Sequence, residues 1–221
     1  KEILSLDLYQ LLKPCQSLFK LSKMKQPDLE NFVGIHNRKY CDGGQCIRLY
    51  KTFMKKKDPE AANIVMGHNE EDLLGLGTIF SLLAYKKLYD GEYHPKQCVI
   101  LEQELKIVIE LSAAAPVNVS CGNSDFYLSV NGYEARMLVH LKEGKLRQYY
   151  RNYKDYEFIP GEDTAMPKSI TRYMDKSLKI ATTPQTCYTW FNCDEDFLNN
   201  EKKQMQYLTH TLPFFLDNLN K

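Results

Sequence analysis

The sequence lacks any cysteine pattern that would build a zinc cluster or a disulfide framework. Its seven cysteines are spaced irregularly over 221 residues, their number is odd, and no Cys-x-x-Cys pair occurs. Structural zinc sites and small secreted scaffolds both depend on such spacing. We therefore expect reduced thiols that pack as small apolar side chains, and a cytoplasmic protein.

Long apolar runs and a strong net charge are also missing. No segment approaches the roughly 20 apolar residues of a membrane-spanning helix, and no signal-peptide pattern opens the chain, so we expect no membrane contact. The formal net charge is +1, so no overall field attracts a polyanion. Nucleic acid would have to bind at a local basic surface. With 43% apolar residues, the chain has ample material for a packed core.

The first 90 residues show apolar side chains at helical spacing. The long helix is predicted to restart at Asp58-Pro59-Glu60, where a capping residue precedes a proline in the first turn. Gly75 and Gly77 fall inside this helix and predict a bend or a close packing contact. The chain starts at Lys1 without methionine and is amphipathic at once, which suggests a processed chain or a fragment.

The helical pattern ends between Asp90 and Pro95, and strand-like segments follow. Asn131-Gly132 predicts a hairpin turn, and Glu143-Gly144 predicts another turn before the segment 145–159. These turns would make a three-stranded meander between residues 126 and 159. We expect an α+β protein in two domains, a mainly helical one at 1–90 and an α+β domain with a Tyr-rich antiparallel sheet and flanking helices at 91–221.

His68 and Asp72 are the candidate chemical groups of the helical part. Four residues apart on a helix, their side chains share one face. A carboxylate suits Mg²⁺ or Mn²⁺, and an imidazole one turn away could orient or deprotonate a water molecule. The alternative is a solvated helix face that carries an incidental histidine.

Several blocks of residues 6–88 together carry more information than this pair. They are Leu6-Asp7-Leu8-Tyr9, Val33-Gly34-Ile35, Asp42-Gly43-Gly44, Lys57-Asp58-Pro59-Glu60 and the stretch from His68 to Leu76. In order and spacing they resemble the C-terminal half of the predicted exonuclease, ribonuclease-H-like domains of the DEDD superfamily. The segment from Tyr153 onward resembles an accessory region of unknown role that is fused to some of these proteins.

The resemblance implies a 3′–5′ exonuclease that hydrolyses DNA or RNA with two Mg²⁺ or Mn²⁺ ions. Asp72 would be the fourth acidic metal ligand, and His68 would position the attacking water. The family's first two acidic motifs do not precede Leu6, so we expect this chain to be inactive alone. We also expect the helices to need the missing N-terminal half of the domain, the tail or another chain to cover their apolar face, or to self-associate.

A strip between residues 145 and 158 alternates aromatic and basic side chains. It predicts nucleic-acid binding through Arg147, Tyr149, Arg151, Tyr153 and Lys154, because such side chains stack on bases and neutralise phosphates. The alternative is an ordinary Tyr-rich strand pair with alternate residues in the core. For the whole chain, the competing hypothesis to a nuclease is a non-catalytic nucleic-acid- or protein-binding module with a degenerate ribonuclease-H-like fold.

Overall fold

The computed structural model of the protein describes residues 5–36, 38–40 and 43–219. The chain divides into two compact units, Lys1–Leu83 and Ala84–Lys221. Asp42 of the predicted Asp42-Gly43-Gly44 block, Cys41 and the first residues of the chain lie outside the described ranges.

The described part of the first unit is helical. Its α-helices are α1 (Leu8–Leu12), α2 (Gln16–Phe19), α3 (Gln26–Phe32), α4 (Gly43–Lys56) and α5 (Pro59–Ile79). Pro14 lies in a 3-10 turn between α1 and α2, where it ends the α-helical pattern. The buried side chains come mainly from the short helices and from the end of the long one, among them Leu12, Leu18, Phe19, Leu29 and Ile79.

Helix α5 begins where the sequence predicts. The Asp58 carboxylate accepts a hydrogen bond from the Glu60 backbone N–H at 3.0 Å, and Pro59 occupies the first turn. The helix then continues through Gly75 and Gly77 to Ile79 without a break. Of the two predicted roles for these glycines, close packing is therefore observed at Gly75, which faces Glu30 of α3.

An antiparallel meander forms the main sheet of the second unit. Strand β1 (Tyr93–Leu101) pairs with β2 (Glu104–Gly122), and β2 pairs with β3 (Phe126–His140). Helices α6 (Leu83–Asp90), α7 (Lys168–Thr171), α8 (Glu195–Leu198) and α9 (Glu201–Asp217) accompany the strands. The predicted α+β class, with a helical N-terminal part followed by antiparallel sheet, is confirmed.

The predicted hairpin at Asn131-Gly132 is wrong, because both residues lie inside the continuous strand β3. Between the pairs Glu110↔Glu134 and Val119↔Val130, β2 advances nine residues while β3 advances four. Gly132 adopts a φ of 55°, so its conformational freedom serves this bulged region rather than a turn. The turn into β3 instead uses Asn123, whose side chain accepts hydrogen bonds from the N–H groups of Asp125 and Phe126.

The turn at Glu143-Gly144 is present, with φ values of 52° and 74°, but the predicted meander beyond it is wrong. Strand β4 (Lys145–Tyr149) pairs with β8 (Tyr188–Asn192), and the paired residues are 39 to 47 positions apart. Strand β5 (Tyr156–Ile159) pairs with β6 (Thr164–Pro167) and β7 (Ile180–Ala181) in another sheet. The Tyr-rich strip is thus divided between two sheets, because β4 pairs with the distant β8 whereas β5 pairs with the nearby β6 and with β7.

Candidate functional site

His68 and Asp72 meet on one face of α5, as the four-residue spacing predicts. Nε2 of His68 lies 3.4 Å from Oδ2 of Asp72. The histidine side chain is 14% exposed and the aspartate side chain 35% exposed, so solvent reaches the carboxylate more readily than the ring. A small ligand could therefore approach the pair from the Asp72 side.

Arg38 binds the second oxygen of the Asp72 carboxylate. Its Nη1 lies 2.7 Å from Asp72 Oδ1. Through Nε and Nη2 the same guanidinium donates two hydrogen bonds of 2.7 Å to Oε2 and Oε1 of Glu30. This fork geometry suits arginine and a carboxylate and adds directionality to the attraction of opposite charges. Arg38 therefore connects the two acidic side chains.

Glu30 is the buried member of this network. Its side chain is only 3% exposed, although it belongs to the short helix α3. The hydrogen bonds from Arg38 are the main cause that lowers the pKa of Glu30, while burial opposes them and the bond from Gln26 assists. The carboxylate is thus held in its charged form by its neighbours.

Gln26 and Gly75 bring α3 and α5 together at this point. The Gln26 side-chain amide donates to Glu30 Oε1 at 2.9 Å and to the backbone oxygen of Asp72 at 2.8 Å. A Cβ atom at Gly75 would lie 1.9 Å from Glu30 Oε1, far inside van der Waals contact. The absence of a side chain at position 75 allows the approach.

Glu71 holds the backbone of the segment that carries Arg38. Its carboxylate accepts hydrogen bonds from the N–H of Lys39 at 2.8 Å and from the N–H of Tyr40 at 3.3 Å. Two adjacent residues of α5 thus contact the segment 38–40. Glu71 binds the main chain of this segment, and Asp72 binds the side chain of Arg38.

The His68 ring retains one unused polar atom. Its Nδ1 is buried and forms no hydrogen bond within the described part of the chain. An unsatisfied buried polar group costs about 1–3 kcal/mol, so the ring position has to be favoured by other contacts. Nε2 is then the nitrogen that contacts Asp72.

These side chains do not by themselves fit a divalent metal. Across residues 5–36, 38–40 and 43–219, no three His, Cys, Asp or Glu side chains are grouped as metal ligands. Glu30 is committed to Arg38 and Gln26, and Asp72 already contacts a guanidinium. Mg²⁺ and Mn²⁺ need several oxygen ligands, and one partly exposed carboxylate does not supply them.

Sequence reasoning found His68 and Asp72 but missed Glu30, Arg38 and Gln26. The missed residues are more than 30 positions away from Asp72 and reach it only because α3 packs against α5. Two signals were available in the sequence. Glu30 stands beside the apolar Leu29 in a short helix, and Gly75 occupies a helical position where it lowers helix propensity.

The five predicted nucleic-acid-binding residues lie in different surroundings. Tyr149 is buried, and its ring stacks on Phe214 with centroids 3.6 Å apart. The Arg147 guanidinium lies 4.7 Å from the ring centre of Tyr188 and 4.8 Å from that of Trp190. The Arg151 guanidinium lies over Tyr89 at 5.6 Å. Tyr153 and Lys154 belong to a 3-10 turn outside both strands, and Lys154 is exposed.

The cysteine thiols of the second unit favour packing over nucleophilic chemistry. Burial raises the pKa of Cys187 to about 11, and burial is also the main cause that raises the pKa of Cys193 to about 11. A thiol with so high a pKa is almost fully protonated near neutral pH, and the thiolate is the nucleophilic form.

The first unit is similar to ribonuclease H. A family model described as the RNase_H superfamily matches residues 2–84, which include His68, Asp72 and every residue of the Arg38 network. The match supports a ribonuclease-H-like, nuclease-like domain over this stretch. No curated protein and no solved structure matches the chain. Within the described ranges, no helix is both long enough and apolar enough to cross a membrane.

Proposed function

We propose that the first unit is part of the core of a divalent-metal-dependent 3′–5′ exonuclease that acts on DNA or RNA. The observation that carries this proposal is the 3.4 Å contact between His68 Nε2 and Asp72 Oδ2 on α5, inside the stretch that matches the RNase_H superfamily. Asp72 would serve as one carboxylate ligand of Mg²⁺ or Mn²⁺. His68 would hold or deprotonate the attacking water.

The described residues do not complete such a site, so the proposal includes inactivity of this chain alone. Of the two carboxylates that bind the Arg38 side chain, Asp72 is the more exposed, at 35% against 3% for Glu30, and Arg38 already contacts one of its oxygens at 2.7 Å. Further carboxylates would have to come from outside the described residues. Without those carboxylates the chain could not hold two metal ions, and the phosphodiester transition state would lack the electrostatic stabilisation that two ions provide.

A nuclease assay with a matched variant tests this proposal. End-labelled single-stranded DNA and RNA oligonucleotides are incubated with the 221-residue chain and with Asp72→Asn, in Mg²⁺ or Mn²⁺. We expect no shortening of the oligonucleotide by either protein. In a longer form of the protein that carries an Asp-x-Glu strand, we expect metal-dependent shortening that Asp72→Asn reduces by at least about 100-fold. Activity of the 221-residue chain that disappears in Asp72→Asn would contradict its inactivity.

The Arg38–Asp72 contact favours a second candidate, a non-catalytic binding module with a degenerate ribonuclease-H-like fold. A guanidinium on the key carboxylate neutralises the charge that would attract a metal. In that case the longer form would show no nuclease activity, and Asp72→Asn would change only its stability. The same assay therefore separates the two functions.

A further inference from the structure

A basic cleft lies in the second unit, far along the sequence from the His68–Asp72 pair. Its cavity volume is about 570 Å³, which falls within the usual range of ligand pockets. The side chains that define the basic cleft are Tyr153, Lys154, Tyr156, Lys168, Lys176 and Lys179. They come from the 3-10 turn before β5, from β5, from α7 and from the 3-10 turn before β7.

Among the described residues that line the cleft, the one carboxylate, Glu157, is already neutralised. Glu157 Oε2 lies 2.9 Å from Lys179 Nζ and also accepts a hydrogen bond from the Thr171 hydroxyl. These two bonds lower the pKa of Glu157, and the positive charge of Lys168 lowers it further, which places Lys168 within electrostatic reach of the cleft floor. Glu157 therefore does not compete for the remaining lysines.

Three ammonium groups remain available for an anionic ligand. Lys154, Lys168 and Lys176 are exposed, and within the described residues none of them forms an ion pair. Lys179 differs, because its side chain is only 12% exposed and its Nζ donates to the Thr171 backbone oxygen at 2.6 Å. Lys179 fixes the cleft wall. The three exposed lysines outnumber the further carboxylate that acts electrostatically on a wall residue, that of Asp155 on Tyr156, and they leave the cleft positively charged.

Two features of the wall suit a nucleotide better than a simple anion. The ring of Tyr156 is held parallel to that of Tyr150, with centroids 5.2 Å apart and an interplanar angle of 14°. The ring of a second tyrosine, Tyr153, also lines the cleft. These two aromatic rings can contact an unpaired base while the lysines contact phosphates.

We infer that the basic cleft binds single-stranded nucleic acid, with Lys154, Lys168 and Lys176 on successive phosphates and an unpaired base against Tyr153 or Tyr156. The inference rests on the proposed nuclease function for its substrate class, but it uses none of the residues of the first unit. The basic cleft differs from the nucleic-acid-binding strip that the sequence predicts. Of the five residues of that strip, Tyr153 and Lys154 line the cleft, whereas Arg147, Tyr149 and Arg151 are not among its lining residues.

Fluorescence anisotropy with labelled 12-nucleotide DNA and RNA strands tests the inference. The test variant is Lys154→Gln/Lys168→Gln/Lys176→Gln. Its matched control, Lys106→Gln/Lys145→Gln/Lys202→Gln, removes three positive charges of the same unit that lie outside the cleft and form no ion pair among the described residues. Each phosphate contact to a single strand contributes about 0.7 to the slope of log K against log salt. We expect the test variant to lose about 2 units of slope and on the order of 100-fold in affinity at 0.1 M salt.

The control variant should keep wild-type affinity within about threefold. The binding buffer contains EDTA, so binding is measured without the divalent ions that the nuclease proposal requires, and either proposal can fail alone. Equal losses in the two triple variants would show nonspecific charge attraction and overturn it. Tighter binding to duplex, or to anionic vesicles through the neighbouring exposed Ile170 and Leu178, would also overturn it. Thermal melting checks that both variants are folded.

Discussion

Gly75 and the Glu30 carboxylate share a space that no side chain at position 75 can enter. A Cβ atom there would lie 1.9 Å from Glu30 Oε1 and 2.8 Å from its carboxyl carbon. Glu30 cannot simply move away, because its two oxygens bind Arg38 and Gln26. The position of Asp72 beside Arg38 therefore depends on a glycine one turn further along α5.

Gly75→Ala should destabilise the first unit, whereas Gly77→Ala should not. At position 77 an added Cβ would meet no atom within 4 Å, and alanine favours the helix by about 0.5–1 kcal/mol over glycine. At position 75 the clash should outweigh this gain and cost about 1–3 kcal/mol. Urea unfolding monitored by circular dichroism measures both changes. Equal effects of the two variants would mean that α3 and α5 do not approach as described.

Glu30→Gln should destabilise the protein most at neutral pH. Charged hydrogen bonds contribute about 1.5–3 kcal/mol, so we expect a loss of about 2 kcal/mol at pH 7. The pKa of Glu30 is lowered from its usual 4.5 in the folded state. The contribution of this carboxylate is therefore fully present above pH 4.5 and is lost as the pH falls through the lower, folded-state pKa.

The difference in unfolding free energy between wild type and Glu30→Gln should accordingly shrink between pH 5 and pH 3. Urea titrations at several pH values measure it. Glu70→Gln is the matched control, because Glu70 lies exposed on α5. That variant should differ from wild type by less than about 0.5 kcal/mol at neutral pH. A Glu30→Gln difference that stays constant down to pH 3 would contradict the bond to Arg38.

Removing the Arg38–Glu30 couple should make Asp72 a better cation ligand. Glu30→Gln/Arg38→Gln leaves the net charge of the pair unchanged and frees Asp72 Oδ1 from its 2.7 Å contact. A unit charge about 4 Å away is worth about 1–4 kcal/mol near a protein surface, and 1.4 kcal/mol changes Kd tenfold. We expect Mn²⁺, measured by electron paramagnetic resonance, to bind about tenfold more tightly. The gain should vanish when Asp72→Asn is added; a gain that persists would place the ion elsewhere.

The purified chain should self-associate through α4 and α5. Large apolar side chains on these helices are exposed, with Met66 at 68%, Leu73 at 63% and Leu74 at 67%. Several large exposed apolar side chains on one helix are a feature of surfaces that bind other chains. Light scattering should show a mass above the 25.8 kDa of one chain, and this mass should increase with protein concentration. Leu73→Gln/Leu74→Gln should shift it toward the monomer, while Leu178→Gln/Ile180→Gln should not. A wild-type monomer at every concentration would count against this expectation.

The sequence predicted local features well and distant partners poorly. Asp58-Pro59 starts a helix, and Glu143-Gly144 turns the chain, because each effect is decided within a few residues. Asn131-Gly132 has an equally strong local signal but lies inside β3, where Gly132 adopts a positive φ and Asn131 does not, opposite the bulged part of β2. Local residues favour particular backbone dihedral angles, but whether the chain turns at that point depends on its pairing with another strand.

The candidate site shows the same division. His68 and Asp72 lie one helical turn apart, so their proximity follows from helix geometry. Arg38 reaches Asp72 only through the packing of α3 on α5, which has no signature at fixed spacing. Glu30 and Gly75 make this packing possible, and each carries a cost, because Glu30 is a charged side chain that is only 3% exposed and a glycine at position 75 lowers the helix propensity of α5. Such locally costly residues are where sequence analysis should look for distant contacts.

The contact between Glu71 and the 39–40 backbone predicts an uneven pattern of mutational tolerance. Lys39 contributes a main-chain N–H to Glu71 and is itself exposed, so every amino acid except proline can provide the same bond. Position 38 tolerates less change. The planar guanidinium of Arg38 binds both oxygens of Glu30 with two nitrogens and Asp72 with the third, and a lysine ammonium cannot make these three contacts at once. Neighbouring codons in this short segment should therefore evolve under very different constraints.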